Sequence, residues 1–484
     1  MSHRHSVAVM VLSAAALIFA LPQPADDTPV PSAVMPHLVG GVPGQRVDRD
    51  FYVFSWQEFY ALNWPAKMGA DHPERGVPDT ARQIDDLTGP RVWETWKADY
   101  ELFPEQTHGP ATPTPWPSWE VAGKPPCSAG ADVRLLPFVA KGESLIPAGV
   151  NQAMGGPLVD QNRYYVRYEV RVDQSEYDKI VQKSWFLRKN LHNYPAPPNL
   201  LDASTQDAYG AIELKAAWRV IKDDEPDAVK SRYYTIKATL VDPKTGQCSP
   251  KPVTMGLVGL HIAHKTGNFA AWVWSTFEQV DNVPKDGTKT CPDSLVGCSF
   301  YDGKTSNPAL TNWGFSPAGA YRPQPPGTLQ QDGKATPVQV VRLNKIPDDA
   351  QKLNAEVHDL PGIKGTVWQY YQLVEAQWQS NFDPIKISND RTAEDLYSRL
   401  AGVPTPDAVA NTSMESFYQG FKGPKPNPAK NPMGIPAFGT SCLHCHYAAA
   451  QYDFSWMLAD QPYPATGGAH RGTTKVEMNV KKRQ

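Results

Sequence analysis

Basic charge is the first thing this sequence lacks. Lys and Arg total 47 against 50 Asp and Glu, a formal net charge of −3, so there is no positive field to hold a polyanion, and nucleic acid is excluded as a partner on charge. Long apolar runs are also missing. Apart from Val7–Leu21, no segment approaches the ~20 apolar residues that a bilayer-spanning helix needs, and the mean hydropathy of −0.46 reads as a water-soluble chain with no transmembrane segment. Cysteine is sparse, with six residues in 484, which excludes a small scaffold built mainly on disulfides. No internal repeat or long low-complexity tract is present, so solenoid architectures drop out.

What is present is a large core and many stiff loops. Hydrophobic residues make up 41% and aromatics 10% of the chain, enough to bury two or three domains. The 47 prolines are about twice average usage. They cluster in Pro104–Pro126, Arg322–Gly327 and Lys422–Pro436, segments expected to be long loops of an exported protein. At the start, Arg4 precedes the apolar run Val7–Leu21, which ends before Asp26-Asp27. That is the pattern of a secretory signal peptide over residues 1–25, and it places the mature chain in the periplasm.

Periodicity divides the remainder. Ser55-Trp56-Gln57-Glu58 has the form of a capping box, and Trp56, Phe59, Tyr60 and Asn63 then share a helical face; Trp93, Trp96 and Tyr100 repeat the spacing. From Asn162 the period becomes two, with Tyr164, Val166, Tyr168, Val170 and Val172 alternating with Arg163, Arg167, Glu169 and Arg171, as in a half-buried strand. Strands are expected again at Ala211–Ile221, Arg232–Asp242, Val253–His264 and Ala270–Val280, the last two joined by a turn at Lys265–Asn268. Helical spacing returns at Asp348–His358, Thr366–Gln379, Ala408–Gln419, the segment around Cys442 and Tyr452–Asp460. The fold class expected is α+β, a central antiparallel sheet with N-terminal helices and a C-terminal helical segment docked on it. Its regions are residues 26–160 (helical and Pro-rich), 161–285 (sheet core), 286–345 (Pro/Gly-rich loop) and 346–484 (C-terminal helical).

The cysteines separate into two sets. Cys127, Cys248, Cys291 and Cys298 form an even number in an oxidising compartment, so two disulfides are expected. Cys291 and Cys298 bracket a short loop and suit a local bond, leaving Cys127 for Cys248, although three connectivities remain open. Cys442-Leu443-His444-Cys445-His446 has a different spacing. Two thiols three apart can add to the two vinyl groups of one porphyrin, and a His directly after the second sits under the iron as proximal ligand. Cys442, Cys445 and His446 are therefore expected to hold one covalent haem c. A structural zinc would want a second ligand pair nearby, and only His470 is there.

For the distal position the sequence offers Met433 in the proline-stiffened loop Asn431–Pro436, His470 as a bis-His alternative, Met457 or Met478, or an open site. A proximal His this late in the chain is similar to the cytochrome c′ arrangement, in which the distal side is open. A second polar site is conceivable on the sheet: Trp272, Trp274, Thr276 and Glu278 share a strand face, His261 and His264 lie on the neighbouring strand on opposite faces, and Glu213 and Lys215 share a face of another. The plainer reading is an ion pair between Glu213 and Lys215 and histidines that cap a hairpin. For the haem shell beyond the C-terminal segment, Trp368, Tyr371 and Trp378 are the nearest aromatic stripe.

Taken together, FSWQEFYALNWPA (54–66), RGVPD (75–79), GAIELKAAWR (210–219), GLVGLHIAHKT (256–266), WVWSTFEQVDNVP (272–284), YYQLVEAQW (370–378), ANTSMESFYQG (410–420) and SCLHCHYAAA (441–450) with DFSWMLA (453–459) resemble a family of exported bacterial cytochrome c family proteins. The resemblance covers most of the chain and implies a single haem c and a periplasmic location, with no settled substrate. It differs from di-haem peroxidases, which carry two attachment motifs. The functions to be separated are single-electron transfer to a periplasmic redox partner, a haem-dependent peroxidase or oxygenase with an open distal iron, and a ligand-binding or sensor module.

Overall fold

The computed structural model describes residues 28–41, 45–103, 111–120, 134–136, 158–192, 200, 210–240, 248–266, 269–285, 288, 290–304, 337–380, 403–406, 408–416, 419, 441–446, 449, 452–460 and 462. In chain order the elements are α1 (Asp48–Leu62), β1 (Ala66–Met68), β2 (Pro73–Pro78), a 3-10 turn (Trp93–Thr95), β3 (Lys97–Ala98), α2 (Asp99–Leu102), β4 (Arg134–Leu136), β5 (Arg167–Val172), α3 (Gln174–Gln182), α4 (Arg188–His192), β6 (Ile212–Val220), α5 (Asp227–Lys230), β7 (Thr235–Leu240), β8 (Val253–Thr266) and β9 (Phe269–Gln279). There follow α6 (Asp348–His358), a second 3-10 turn (Val367–Tyr370), β10 (Tyr371–Ser380), β11 (Val403–Thr405), α7 (Cys442–His446) and α8 (Trp456–Asp460).

The fold is α+β, built on one sheet in the order β11-β10-β9-β8-β6-β5-β3, with every neighbouring pair antiparallel. β7 joins β8 at Val253–Gly256, and β4 pairs with β7 in parallel, the one departure from an antiparallel sheet among the described residues. Strands come from both sides of the expected 161–285 core, since β3, β4, β10 and β11 lie outside it.

The long pair β8–β9 is the centre, and its alternation explains the two covering layers. On β9, Val273, Ser275 and Phe277 point one way and Trp272, Trp274, Thr276 and Glu278 the other. The first set meets α1 and α6. Phe277 packs on Trp56 and Phe59 with ring centroids 5.0 and 4.6 Å away, Ser275 meets Ser55 at 2.7 Å, and Asn354 of α6 donates to the Leu373 carbonyl and accepts from the Leu373 amide. Trp378 of β10 stacks on Phe51 at 3.7 Å, interplanar 4°. The second set is covered by the C-terminal segment.

Several sequence expectations give way here. The Ser55–Glu58 motif does not start a helix. α1 begins at Asp48, where the Asp50 carboxylate accepts from the Val47 amide at 2.8 Å; Ser55 donates back to the Phe51 carbonyl, and Glu58 is spent on His264. β5 is buried on both faces, not one. Its charged face forms an internal network in which Arg134 joins Glu94 (3.0 Å) and Glu169 (2.9 Å), Arg171 joins Glu169 (2.8 Å), and the Trp218 indole donates to Glu169. Burial alone would raise the Glu169 carboxyl, but the two guanidiniums outweigh it and hold it below the usual range.

Thr366–Gln379 is a 3-10 turn followed by β10, not a helix. A bulge between Leu373 and Glu375 shifts the strand's phase, so Tyr371, Leu373, Ala376 and Trp378 face the α1 layer at a spacing that imitates a helical stripe. Ala408–Gln419 shows a single turn closed by the Glu415 amide on the Asn411 carbonyl, with no helix among its described residues. Asn411, Thr412 and Ser413 turn their side chains to the sheet instead of to a helical register. The Tyr452–Asp460 helix is confined to Trp456–Asp460.

Asp348–His358 forms as its spacing requires, and Cys291 is bonded to Cys298. Cys248 is also disulfide-bonded, while Cys127 lies outside the described residues. Among those residues no helix is long and apolar enough to cross a membrane.

Gly259 sits where β8 meets the 411–414 turn. A Cβ there would collide with the Ser413 hydroxyl and press on Asn411 and Met414, each 3.3 Å away. Gly259→Ala should therefore lower stability by about 1–3 kcal/mol, read as a lower urea midpoint at unchanged slope. A parent-like midpoint would show that the turn yields freely.

Candidate functional site

The face of β8–β10 opposite α1 is where the sequence's chemistry-bearing residues meet. The 411–416 turn is fastened first. Thr412 donates through its amide (3.1 Å) and hydroxyl (2.8 Å) to the Glu278 carboxylate, and the Asn411 side-chain amide donates to the Thr276 hydroxyl (3.0 Å) and the Phe277 carbonyl (2.7 Å). His261 pairs with Glu415 at 3.3 Å. Neither histidine joins Glu278, which pairs with Arg342. Nor does either cap the hairpin: His264, fully buried on the α1 face, holds Glu58 at 2.5 Å. Lys215 lies 4.9 Å over the Tyr168 ring.

The Cys442–His446 turn lies beside this anchor. Its five helical residues put Cys442 three positions from Cys445 and four from His446, the spacing of neighbours on one helical face. Leu443 is fully buried, and its amide donates to the Gln377 side chain on β10 at 2.9 Å. Cys442 is half-buried; Cys445 is described in its backbone only. The His446 ring rests on Trp274 of β9 with centroids 4.2 Å apart. Its Nδ1 lies 2.6 Å from the Phe454 carbonyl. A carbonyl only accepts, so Nδ1 carries a proton; in the neutral ring the lone pair is then on Nε2, the tautomer a metal-ligating histidine has when an outer partner holds its other nitrogen.

That carbonyl is placed at a cost. Asp453 and Phe454 both have left-handed backbone, φ 57° and 63°, a strained state for an aromatic residue that persists only when the surroundings enforce it. The enforcement is visible. Asp453 receives the Lys265 ammonium at 2.6 Å and the Leu200 amide at 2.7 Å, and its carbonyl accepts from the Trp272 indole at 2.8 Å. Arg188 of α4 donates to the Ala459 carbonyl farther on.

Electrostatically this corner is acidic and dry. Burial raises the Asp453 carboxyl, and Lys265 pulls it back only in part. Glu176 of α3 is more extreme: fully buried, with neither carboxyl oxygen hydrogen-bonded, it is pushed well above the usual range by burial and then by Glu213, Asp173 and Asp453. Asp173, which caps α3, is pushed up to about 6 by burial. The surroundings of Glu176 thus favour the protonated carboxyl over the carboxylate.

A further buried polar atom is unsatisfied beside His446. Trp274 is 6% exposed, and its indole N–H has no hydrogen-bond partner, which costs about 1–3 kcal/mol unless something supplies an acceptor. No family model, curated protein or solved structure is similar to the chain. The reading of the site therefore rests on its own residues. The residues brought together here are an imidazole with its Nδ1 proton held by a backbone carbonyl, the Cys442 thiol in the same short helix and an unsatisfied indole donor against the ring.

Of the other expected residues, Met433, His470 and Met478 lie outside the described residues. Met457 is buried in the core at 2% exposure. Trp368, Tyr371 and Trp378 do not flank His446, because they face the α1 layer: Trp368 donates to the Ile84 carbonyl and Tyr371 to the Leu257 carbonyl. Trp272 and Trp274 take that place. Gln377, Asp453 and the Phe454 carbonyl had no distinguishing signal in the sequence.

Because native Glu176 keeps its proton to higher pH than the unfolded chain does, it makes stability fall as pH rises above about 4.5. Glu176→Gln removes that dependence. The variant's stability relative to the parent should grow from pH 5 to 8, by at most about 1.4 kcal/mol per pH unit, in urea titrations. A difference constant with pH would mean that Glu176 is ionised in the folded protein.

Proposed function

We propose that this chain is a periplasmic mono-haem c-type cytochrome, holding one haem through thioethers to Cys442 and Cys445 with His446 Nε2 as proximal ligand, and passing single electrons to and from a periplasmic redox partner. The observation that carries the reading is the hydrogen bond from His446 Nδ1 to the Phe454 carbonyl, made at the expense of a left-handed Phe454. A histidine kept only for packing needs no such fixed tautomer. The haem supplies a one-electron couple when bound. The protein's part is to fix the imidazole, exclude water with Leu443, Trp272 and Trp274, and set the potential through burial and hydrogen bonding.

The C-terminal segment draws its support from the sheet, which accounts for the length of chain upstream of the motif. Electron transfer asks the site to stay the same in both redox states, and this one is clamped at Gln377, Trp272 and Lys265. The secretory pattern of residues 1–25 and the Cys291–Cys298 bond agree with an oxidising compartment.

Expressed with haem maturation factors, the parent should keep a haem stain through acid–acetone extraction and denaturing electrophoresis. The double substitution Cys442→Ala with Cys445→Ala should abolish it, and stain surviving in that variant would end the haem c reading.

For the distal ligand we propose Met433, with His470 and an open site as the alternatives. Met433→Ala should then open the sixth position: a high-spin ferric spectrum, faster carbon monoxide binding and a lower reduction potential, since a Met–His pair raises the potential. Parent-like spectra in Met433→Ala would move the ligand to His470, and rapid carbon monoxide binding by the parent itself would favour a haem-dependent oxidoreductase with an open distal iron.

A further inference from the structure

The orphan indole beside His446 points to one more contact. We propose that the Trp274 N–H is the hydrogen-bond donor to a carboxylate of the prosthetic group, one of the two haem propionates. The inference rests on the haem reading above and deepens it by assigning a residue of the sheet, 172 positions before His446 in the sequence numbering, to the cofactor's polar edge.

Three observations lead there. First, Trp274 and Trp272 have the same residue type on the same strand face, their centroids 6.0 Å apart, yet only the Trp272 indole is satisfied, by the Asp453 carbonyl. The chain supplies an acceptor to one and none to the other. Second, Trp274 is buried and lies against the ring that would sit under the iron, so an acceptor for it has to come from something that occupies the space next to His446. Third, an indole is a donor only, and a carboxylate is the group a buried donor holds most strongly.

The charged neighbours of this corner include Lys265 on β8, Asp453 next to Phe454, Glu176 and Lys179 on α3, its cap Asp173, Glu213 on β6 and Arg188 on α4. Lys265 is engaged with Asp453, while Trp274's cross-strand neighbours, Ala263 on β8 and Gln377 on β10, are uncharged. Neither cross-strand partner of Trp274 therefore brings a cation to the indole, and its N–H is the donor that this strand position offers a carboxylate.

The test uses the haem-loaded full chain. The reduction potential is measured from pH 4 to 9 for the parent, Trp274→Phe and the control Trp272→Phe. Losing a hydrogen bond to an ionised group should move the propionate inflection of Trp274→Phe upward by about one to two pH units, with haem stain retained, while Trp272→Phe keeps the parent inflection. In the parent's ferrous form, the indole N–H resonance that Trp274→Phe deletes should be protected from solvent exchange and should move as the propionate is protonated. This second measurement decides the matter even where the substitution impairs folding. An unshifted inflection together with a rapidly exchanging indole proton would assign the donor to water and overturn the inference alone. A parent without covalent haem would overturn the proposed function and the inference with it.

Discussion

A sheet covered on both faces leaves no water for its inward-pointing polar side chains, and the placement of everything else follows from how those side chains are paired. A buried polar group without a partner costs on the order of 1–3 kcal/mol, so each must find one on the layer above it. β9 does this twice, with alternate residues. Ser275 meets Ser55 and Glu58 on one side; Thr276 and Glu278 meet Asn411 and Thr412 on the other. β8 repeats the division, His264 against Glu58 and His261 against Glu415. The C-terminal segment is thus positioned by the same strands that hold α1, and the geometry of His446 inherits the rigidity of the sheet's centre.

Against that background the unsatisfied groups stand out. Glu176, with neither carboxyl oxygen bonded, and the Trp274 indole are among them, and both lie in the corner where Asp453 and Phe454 are strained. Natural proteins tend to concentrate such departures at functional sites, where local cost is offset elsewhere in the fold. The coincidence of a fixed imidazole tautomer, an orphan donor and a left-handed aromatic within one layer is what separates this region from the equally buried ion network around Glu169, in which both carboxylate oxygens are paired.

The strands β6, β8 and β9 and the helix α6 were legible because their apolar spacing is uninterrupted and their ends carry turn residues. β10 was not. Its bulge at Leu373–Glu375 produces a spacing that a helix would also produce, and only the pairing with β9 decides between them. The start of α1 was misread for a related reason: Ser55 and Glu58 have the order of a local cap, but their hydrogen bonds go to Phe51, Ser275 and His264, contacts no local pattern reports. At the site, the spacing of Cys442, Cys445 and His446 was visible in the sequence, as was their place in one short helical segment. The Phe454 carbonyl was not, since a backbone acceptor has no residue type, and phenylalanine is among the last residues one would assign to a left-handed position. Trp274 was visible as a member of a strand face, but its neighbour His446 is known only from the fold.

The contacts of Lys265 with Asp453 and of Gln377 with Leu443 have a bearing on the order of assembly. The α1 face of the sheet closes through Glu58, Ser55 and Asn354 without any residue of the C-terminal segment. The segment, in contrast, is held by contacts to residues of β8, β9 and β10. Along a chain delivered N-terminus first, the scaffold can therefore be complete while the Cys442–His446 turn is still undocked and its thiols are exposed. On the proposed reading, that interval is when an attachment enzyme reaches both cysteines, and docking of His446 on Trp274 afterwards seals the finished site.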